Sequence, residues 1–243
     1  MAMTLTEENP AKRFAAQSAI EQVKHGMVIG LGSRSTAEIA IRILGEKVKG
    51  GFQIVGVPTS HESEELARSL GIQVSTLAEH AQLDLTIDGA DEVELDSLDL
   101  IKGRGGALLR EKIVASSSRQ LIIVLDESKV VDRLGAQGEL PVEVVPFAWQ
   151  STALRLEKLG WKPVLRVTAE RTPYITDGGH YILDCSFDLD KRLQSRAVEL
   201  HNTVGVVEHG MFLGMATEVH IGSANGVRVL QRSATPHQGP RST

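Results

Sequence analysis

The 243-residue chain has little cysteine, few aromatic residues and little net charge, and these scarcities exclude several classes of protein. A single cysteine, Cys185, cannot form an internal disulfide, and the eight histidines show neither HxH nor HExxH spacing. A net charge of -5 argues against a broad nucleic-acid surface. No apolar run approaches the ~18 residues of a membrane span. We therefore expect a cytoplasmic protein without a metal and without membrane or nucleic-acid partners.

The chain does contain a regular alternation of short apolar runs and helical patterns. The apolar runs at residues 27–31, 54–57, 83–87 and 121–125 are separated by segments whose apolar residues recur every three or four positions. This alternation predicts an α/β fold in which a Rossmann-like, doubly wound parallel sheet is covered by helices on both faces. A hydrophobic content of 42% is sufficient for such a core.

A turn-rich segment after Leu134 ends this alternation and predicts a domain boundary. Beyond it the order is strand, helix, two strands, helix and strand, with a hairpin of residues 174–176 and 181–183, which is typical of a ferredoxin-like (split βαβ) α+β domain. The last apolar segment predicts two strands around Asn225 and Gly226 that return to the first sheet. We predict a Rossmann-like domain of residues 1–134 plus 213–243, a smaller domain of residues 135–212, and disorder in the tail at 233–243.

The first loop with a capacity for chemistry lies at the carboxyl end of the first predicted strand. Its sequence, Gly30-Leu31-Gly32-Ser33-Arg34-Ser35-Thr36, offers backbone N–H groups, hydroxyls and a guanidinium to a phosphate at a helix N-terminus. Taken alone, the same residues fit a tight turn followed by an ordinary helix cap equally well. The loop lacks the Gly-Lys-Ser/Thr ending of a P-loop and the GxGxxG pattern of a dinucleotide site.

The second loop is acidic and follows the strand predicted at residues 83–87. In Asp88-Gly89-Ala90-Asp91-Glu92, two carboxylates three positions apart can point into one crevice at the sheet edge, where α/β proteins bind ligands. A solvated turn in which Asp91 caps a helix is the alternative interpretation of so short a motif.

The third loop, Lys102-Gly103-Arg104-Gly105-Gly106, precedes a predicted helix that places Glu111 on a stripe of small side chains. Partial desolvation raises a carboxyl pKa toward the range useful to a general base, while the Lys102 ammonium would oppose the rise and stabilise an anionic intermediate. The alternative is a solvated Glu111 paired with Lys112 or Arg110. The cations Lys12 and Lys129 could also meet a phosphate, although most such lysines are simply solvated.

Together these motifs resemble those of the ribose-5-phosphate isomerase A family. GLGSRSTA is similar to that family's GxGTGSTA loop, DGADE to its acidic motif, and KGRGGALLREK to its lysine, glycine and glutamate signature; DESK, LPVEVVP and GVVEHGMF are also similar. The likeness runs in order from about Lys12 to Leu230. It implies a Rossmann-like domain with a smaller α+β domain, a homodimer or homotetramer, a phosphosugar substrate, and no metal or cofactor.

The resemblance also implies an activity, the interconversion of D-ribose 5-phosphate and D-ribulose 5-phosphate through an enediolate in the non-oxidative pentose phosphate pathway. Glu111 would accept the proton, and Asp88, Asp91 and Lys102 would complete the catalytic group. The residues implied around the sugar and phosphate are Lys12, Ser33, Arg34, Ser35, Thr36, Gly89, Ala90, Gly103, Arg104, Gly105 and Lys129. Arg34 stands where the family usually has glycine, so a left-handed backbone there would cost about 1 to 2 kcal/mol.

Two other functions remain compatible with the sequence. A non-catalytic phosphosugar-binding module could share the fold, but it would need no base at Glu111. An isomerase of related aldoses, phosphorylated or not, gains support from the unusual Arg34. Comparing the turnover of ribose 5-phosphate with that of free pentoses and hexoses distinguishes these functions.

Overall fold

The computed structural model describes residues 9–186 and 192–232. In these ranges the helices are α1 (Pro10–Ile20), α2 (Arg34–Lys49), α3 (His61–Ser69), α4 (Leu108–Ser116), α5 (Trp149–Lys158) and α6 (Leu193–His201). The strands are β1 (Val28–Leu31), β2 (Val55–Pro58), β3 (Gln73–Val74), β4 (Leu85–Asp88), β5 (Glu92–Glu94), β6 (Asp99–Ile101), β7 (Leu121–Asp126), β8 (Val130–Val131), β9 (Leu140–Val144), β10 (Lys162–Leu165), β11 (Tyr181–Ser186), β12 (Val206–His209), β13 (Met211–Phe212), β14 (Glu218–Ser223) and β15 (Gly226–Gln231). None of these helices is long and apolar enough to cross a membrane. The tail at 233–243, predicted to be disordered, lies outside the described residues.

Seven strands form the largest sheet, in the order β15-β14-β7-β4-β1-β2-β3. All neighbouring strands in it are parallel except β14 and β15, which form an antiparallel hairpin. The central strand β4 and its neighbour β7 are buried along their whole lengths, as expected where helices cover both faces of a parallel sheet. The Rossmann-like sheet predicted from the sequence is confirmed.

The chain reverses its direction of travel across this sheet between β1 and β4. From β1 it proceeds through β2 to β3 on one side, whereas β4 and then β7 lie on the other side. The loops that leave the carboxyl ends of β1 and β4 therefore diverge and leave a crevice, which is where open α/β sheets bind their ligands. The first two loops singled out in the sequence begin at these two strand ends.

A second sheet, β10-β11-β9-β12, is antiparallel throughout and carries α5 and α6. Its β-α-β-β-α-β order is the ferredoxin-like arrangement that the sequence predicted. The predicted hairpin is wrong in one strand, because residues 174–176 form no strand and β11 pairs instead with β10 and β9. The N–H of Tyr174 donates to the Arg166 carbonyl at 2.9 Å, so this segment pairs with the residues after β10 and not along β11.

A third sheet, β13-β6-β5-β8, was not predicted. Its strands have only two or three residues, which is too short for an alternating pattern to show in the sequence. Leu100 and Phe212 form its fully buried centre. It joins the acidic loop to the loop that follows, because the N–H of Asp91 donates to the Ile101 carbonyl at 2.9 Å.

The last two strands return to the first sheet, as the sequence predicted, and β14 lies parallel to β7. Helix α1 covers this part of the sheet through alanines such as Ala15 and Ala19, which are fully buried. Asn9 caps α1 by accepting a hydrogen bond from the Ala11 N–H at 3.0 Å. The first described helix and the last described strands thus pack against each other.

Candidate active site

The loops after β1 and β4 meet at the crevice between these strands. The N–H of Gly32 donates to the Ile87 carbonyl at 2.9 Å, and the N–H of Ser33 donates to Oδ1 of Asp88 at 3.1 Å. A Cβ atom on residue 32 would lie 2.3 Å from the same Asp88 oxygen. Glycine is therefore required at this position because any side chain would separate the two loops.

The Lys102 ammonium joins the acidic loop to helix α4. Its Nζ atom lies 2.6 Å from the Gly89 carbonyl oxygen, 3.0 Å from Oδ2 of Asp88 and 3.2 Å from Oε2 of Glu111. Lys102 and Glu111 are only 3% and 5% exposed, and Asp88 is fully buried. The Gly89 carbonyl accepts a hydrogen bond from the ammonium, and the two carboxylates form ion pairs with it. One buried positive charge is therefore shared by two buried carboxylates.

The two carboxylates differ in their other partners. Oδ1 of Asp88 accepts hydrogen bonds from the N–H groups of Ser33 at 3.1 Å and Gly89 at 2.8 Å. Among the described residues, Lys102 is the ion-pair partner of the Glu111 carboxylate. The loop backbone therefore fixes Asp88, whereas the ammonium holds Glu111.

Burial sets the protonation of this pair. It raises the pKa of Glu111 above the usual carboxyl range; the Lys102 ammonium opposes that rise, and the Asp88 charge adds to it. Burial alone would lower the pKa of Lys102, but the charges of Asp88 and Glu111 outweigh it and raise this pKa. The site therefore combines a permanent ammonium with a carboxyl group that can exchange a proton at moderate pH.

Helix α4 presents Glu111 from its first turn, where the free N–H end of a helix favours a carboxylate. The solvated alternative does not occur, because the two candidate partners bond elsewhere. Nζ of Lys112 lies 2.8 Å from Oε1 of Glu208, and Arg110 pairs with Asp177. Glu111 is consequently left facing Lys102.

The remaining residues of the acidic and glycine loops bond to each other. Oδ2 of Asp91 accepts from the N–H of Arg104 at 2.9 Å, and Asp91 precedes β5 rather than capping a helix. The Arg104 guanidinium pairs with the fully buried Glu92 at 2.7 Å. Arg104 thus contributes its backbone to this part of the site and turns its side chain away.

Hydroxyls and cations gather at the N-terminus of α2. The buried Ser33 hydroxyl lies 2.7 Å from Oγ1 of Thr59 and 2.8 Å from Oγ of Ser60, while Nζ of Lys12 donates to Oγ of Ser35 at 2.9 Å. Arg34 has a left-handed backbone with φ of 70°, as the comparison with glycine at this position suggested. Its guanidinium donates to the Gly105 carbonyl and is 54% exposed.

A cavity of about 120 Å³ connects these groups. The residues that line it are Lys12, Ser33, Arg34, Ser35, Thr36, Gly89, Ala90, Asp91, Lys102, Gly103, Gly105, Glu111 and Lys129. All the site residues predicted from the sequence are among them except Asp88, which contacts Lys102 from behind, and Arg104, which points away. The cavity holds a carboxyl group and an ammonium together with the hydroxyls and cations of the α2 N-terminus.

Sequence analysis missed four residues that hold these loops in place. Thr59 and Ser60 follow β2, so the rule that functional residues lie at the carboxyl ends of parallel strands could have found them. Arg166, just after β10, and Tyr174, in the connection to β11, bond to carbonyls of the glycine loop. They lie outside any recognisable motif and far away in sequence, so no local signal marks them.

A separate cluster brings together His201, Glu208 and His209, whose potential ligand atoms lie within 4.8 Å of one another. Lys112 already donates to Glu208, and Nδ1 of His209 accepts from the N–H of Met211 at 3.2 Å. A neutral imidazole that accepts at Nδ1 carries its proton on Nε2 and has no lone pair there for a metal. In this arrangement the cluster does not provide a metal-binding donor set.

The sequence matches a known family over most of its length. Residues 55–226 match the family described as ribose 5-phosphate isomerase A (phosphoriboisomerase A). The chain is 53% identical to the ribose-5-phosphate isomerase A of Synechococcus sp. (strain JA-3-3Ab) over 223 residues, or 91% of this chain and 97% of the relative. It is 51% identical to that of Gloeobacter violaceus over 225 residues, or 93% and 97% of the two chains.

Solved structures show the same likeness. The ribose 5-phosphate isomerase A from Methanocaldococcus jannaschii superimposes with a TM-score of 0.88 at 39% identity, covering 92% of this chain and 99% of the other. A D-ribose-5-phosphate isomerase in complex with phospho-erythronic acid gives a TM-score of 0.87 at 38% identity, covering 95% and 100%.

Proposed function

The chain belongs to the ribose-5-phosphate isomerase A family, and on that premise we propose that it interconverts D-ribose 5-phosphate and D-ribulose 5-phosphate with Glu111 as the base. One observation carries this proposal: a buried carboxylate 3.2 Å from a buried ammonium, both lining one cavity with hydroxyls and cations.

Proton transfer between neighbouring carbons is the central step of an aldose–ketose isomerisation. A base removes the proton from C2, the C–H electron pair forms a C1–C2 double bond, and the former carbonyl oxygen becomes anionic. The same base then returns the proton to C1, while a proton passes from the C2 oxygen to the C1 oxygen and C2 becomes the carbonyl. One carboxylate on one face of the sugar can perform both transfers. The raised pKa of Glu111 makes it a stronger base for this task.

The enediolate formed between these transfers needs a partner for its negative charge. Lys102 remains an ammonium because the carboxylates around it raise its pKa, and it lies beside the proposed base. A charge-assisted hydrogen bond contributes about 1.5 to 3 kcal/mol, which corresponds to roughly 10- to 150-fold in rate when it forms only in the transition state. Asp88, which was expected to bind sugar hydroxyls, does not line the cavity and instead holds Lys102 in place. We propose that Asp91, which does line it, binds sugar hydroxyls and assists ring opening.

The other end of the cavity suits a phosphate. The N-terminus of α2, with the hydroxyls of Ser33, Ser35 and Thr36, provides donors and a favourable dipole for an anion. Lys12, Arg34 and Lys129 add positive charge, and the backbones of Gly89, Ala90, Gly103 and Gly105 complete the wall, whereas Arg104 takes part through its N–H. Phospho-erythronic acid, the ligand held by one similar structure, carries a phosphate and a carboxylate, which supports this division of the cavity.

The two alternative functions explain fewer of these features. A phosphosugar-binding module does not explain the desolvated carboxylate beside Lys102, because a site that only binds its ligand needs no base. An isomerase of unphosphorylated aldoses has no use for three cations around one end of the cavity. Lys12, Arg34 and Lys129 therefore favour a phosphorylated pentose.

The direct test mixes the purified protein with ribose 5-phosphate and follows ketose formation. We expect turnover of ribose 5-phosphate and at most slow turnover of free ribose. Absence of ketose formation at micromolar enzyme would contradict the proposed activity, and equal rates with and without the phosphate would favour the broader aldose isomerase.

We also propose the domain organisation predicted from the sequence, with residues 1–134 plus 213–243 as the catalytic domain and residues 135–212 as the smaller one. Strands β9 to β12 form their own sheet around Leu156, Trp161 and Leu183, which supports the division. Residues 1–8, 187–191 and 233–243 of these ranges lie outside the described part of the chain.

A homodimer, or a homotetramer built from it, is the assembly that we propose. Most of the large apolar side chains exposed in the described residues belong to the smaller domain, including Phe147 at 88%, Val204 at 76% and Val164 at 65%. Burying them against a second copy would remove them from water. Sedimentation of the wild type and of a Phe147→Asp variant tests this assembly, and a monomeric wild type would contradict it.

A cytoplasmic location also remains our proposal. The chain's single thiol, Cys185, is buried in the core of the smaller sheet, where burial raises its pKa and keeps it unreactive. A protein without disulfides fits a reducing compartment. Fractionation of cells that express the protein would test this location.

A further inference from the structure

We propose that Arg166 is a positioning residue, which acts from the smaller sheet to hold the glycine loop of residues 103–106 against the Lys102–Glu111 pair. The inference deepens the proposed function and rests on it for its kinetic consequences. Arg166 does not line the cavity, so its effect on the substrate passes through the loop.

The Arg166 guanidinium is bound on two sides. Nη1 donates to the carbonyl oxygens of Gly103 at 3.0 Å and Arg104 at 3.1 Å. Nε donates to Oδ2 of Asp184 at 2.8 Å, and Nη2 donates to the other oxygen of the same carboxylate. This paired contact fixes the plane of the guanidinium, which is the geometry that arginine forms best with a carboxylate. Strand β11, which carries Asp184, thereby sets where the two loop carbonyls can lie.

The glycine loop depends on such outside contacts. Gly103 and Gly106 have φ of 106° and 86°, and a glycine-rich backbone has many other conformations available to it. Tyr174, also from the smaller domain, adds a bond from its hydroxyl to the Gly105 carbonyl at 3.3 Å. Arg166 binds two successive carbonyls at once, so it restricts the loop more than a single donor would.

The direction of these carbonyls matters for an anionic substrate. A carbonyl oxygen turned into the cavity would repel a sugar phosphate or an enediolate, whereas Arg166 binds two of them on its own side of the loop. In a trans peptide the N–H points opposite to the C=O, so the N–H of Gly105 points away from Arg166. Because Asp184 balances its charge, Arg166 acts through hydrogen-bond geometry more than through long-range attraction to the substrate.

The experiment compares wild type, Arg166→Ala, Arg166→Lys and a control, Arg155→Ala. Arg155 is exposed on α5, and within residues 9–186 and 192–232 its hydrogen bonds go to Ser151 of its own helix. We expect kcat/KM to fall about 10- to 100-fold in Arg166→Ala, because a displacement of about 1 Å near reacting groups has effects of this size. Lysine has one ammonium in place of the planar guanidinium, so the kcat/KM of Arg166→Lys should be little higher than that of Arg166→Ala. Guanidinium chloride at low millimolar concentration should restore much of the kcat/KM that Arg166→Ala loses. It should leave the kcat/KM of Arg155→Ala unchanged.

A second measurement does not depend on activity. Amide hydrogen exchange followed by mass spectrometry should show faster exchange in the peptide that covers residues 103–106 of Arg166→Ala, with unchanged exchange in Arg155→Ala. If Arg166→Ala does not fold, Asp184→Asn replaces it, since this change frees the guanidinium without removing it and should give the same exchange effect with a smaller kinetic loss.

The results separate the two proposals. Unchanged exchange of the loop, or kcat/KM within twofold of wild type, would overturn the positioning role of Arg166. A kinetic loss that guanidinium does not reverse, with a uniform rise of exchange over the whole chain, would also overturn it, because that pattern reports general destabilisation. A wild type without isomerase activity would contradict the proposed function, and the exchange data would still decide whether Arg166 holds the loop.

Discussion

Nζ of Lys102 lies 3.2 Å from Oε2 of Glu111, and the two side chains are almost completely withdrawn from solvent. A buried ion pair is normally damaged when one partner loses its charge, because the other charge is left unpaired. Here Lys102 has a second partner, because Oδ2 of Asp88 lies 3.0 Å from the same ammonium. If Glu111 is the base that we propose, Lys102 therefore keeps a carboxyl neighbour when Glu111 takes a proton from the substrate.

Replacing Glu111 with glutamine should abolish isomerisation while preserving the fold. The amide keeps the shape of the side chain and can still accept a hydrogen bond from Lys102, but it cannot accept the C2 proton. We expect kcat to fall at least ~1,000-fold, within the range found for removal of a general base. Ketose formation from ribose 5-phosphate measures this loss.

A matched control for this variant is Glu64→Gln, which changes an acid on the surface of α3 that pairs with Arg68. It should retain wild-type kcat. The affinity of Glu111→Gln for phospho-erythronic acid, measured by calorimetry, should remain within a few-fold of wild type. A Glu111→Gln enzyme with more than a tenth of the wild-type rate would exclude Glu111 as the base.

The rate should depend on pH through Glu111. The base acts in its ionised form, and burial raises its pKa, so kcat/KM should decrease as the pH falls through a value above the ordinary carboxyl pKa of about 4.3. The Asp88 charge contributes to the rise, so Asp88→Asn should lower the rate and also move this acidic limb to lower pH. A limb that stays in place in Asp88→Asn, or moves upward, would show that the titrating group is not Glu111.

Arg34→Gly should weaken substrate binding more than it alters folding. Glycine relieves the left-handed strain of about 1 kcal/mol but adds backbone entropy to the unfolded chain of similar size, so Tm should change by only a few degrees. The guanidinium is half-exposed, so its contact with a phosphate is worth about 1 kcal/mol, and the KM for ribose 5-phosphate should rise roughly fivefold. The low rate with free ribose should not change. An equal effect on both sugars would argue that Arg34 does not meet the phosphate.

His209 should make the protein less stable in mild acid. Burial, together with the nearby Lys112 ammonium, lowers the pKa of His209 from 6.5 to about 2, so at pH 5 the unfolded chain binds a proton that the folded chain does not. The free energy of unfolding should therefore decrease as the pH falls below about 6.5, with a contribution from His209 of about 2 kcal/mol at pH 5. Urea unfolding at pH 7.5 and pH 5 measures how much the free energy of unfolding falls between these two pH values. In His209→Asn this fall should be smaller by about 2 kcal/mol. An equal fall in the two proteins would contradict the role of His209.

The parts of the site that the sequence could predict are those in which a motif is contiguous. Asp88 ends β4 and Ser33 follows β1, and the switch of direction between these strands brings the two positions together by topology alone. The left-handed backbone of Arg34 could be expected from the position of a glycine in similar sequences.

The parts that could not be predicted depend on contacts between distant segments. The short strands β5, β6, β8 and β13 carry too few residues for a periodic pattern, and they exist because they pair with one another. Arg166 and Asp184 look like ordinary surface charges until the second sheet places them beside the glycine loop. The wrong strand at residues 174–176 has the same cause, since the N–H of Tyr174 bonds to the distant Arg166 carbonyl and not to β11.

The position of β14 between β7 and β15 has a consequence for how the protein is made. During synthesis the ribosome releases β7 long before β14, and the whole ferredoxin-like segment emerges in the interval. Until β14 arrives, one edge of β7 has no partner and α1 lacks part of the surface it covers. The catalytic sheet is therefore completed only after the ferredoxin-like segment has been synthesised, so a chain truncated before residue 218 would expose apolar edges to chaperones and proteases in place of a working enzyme.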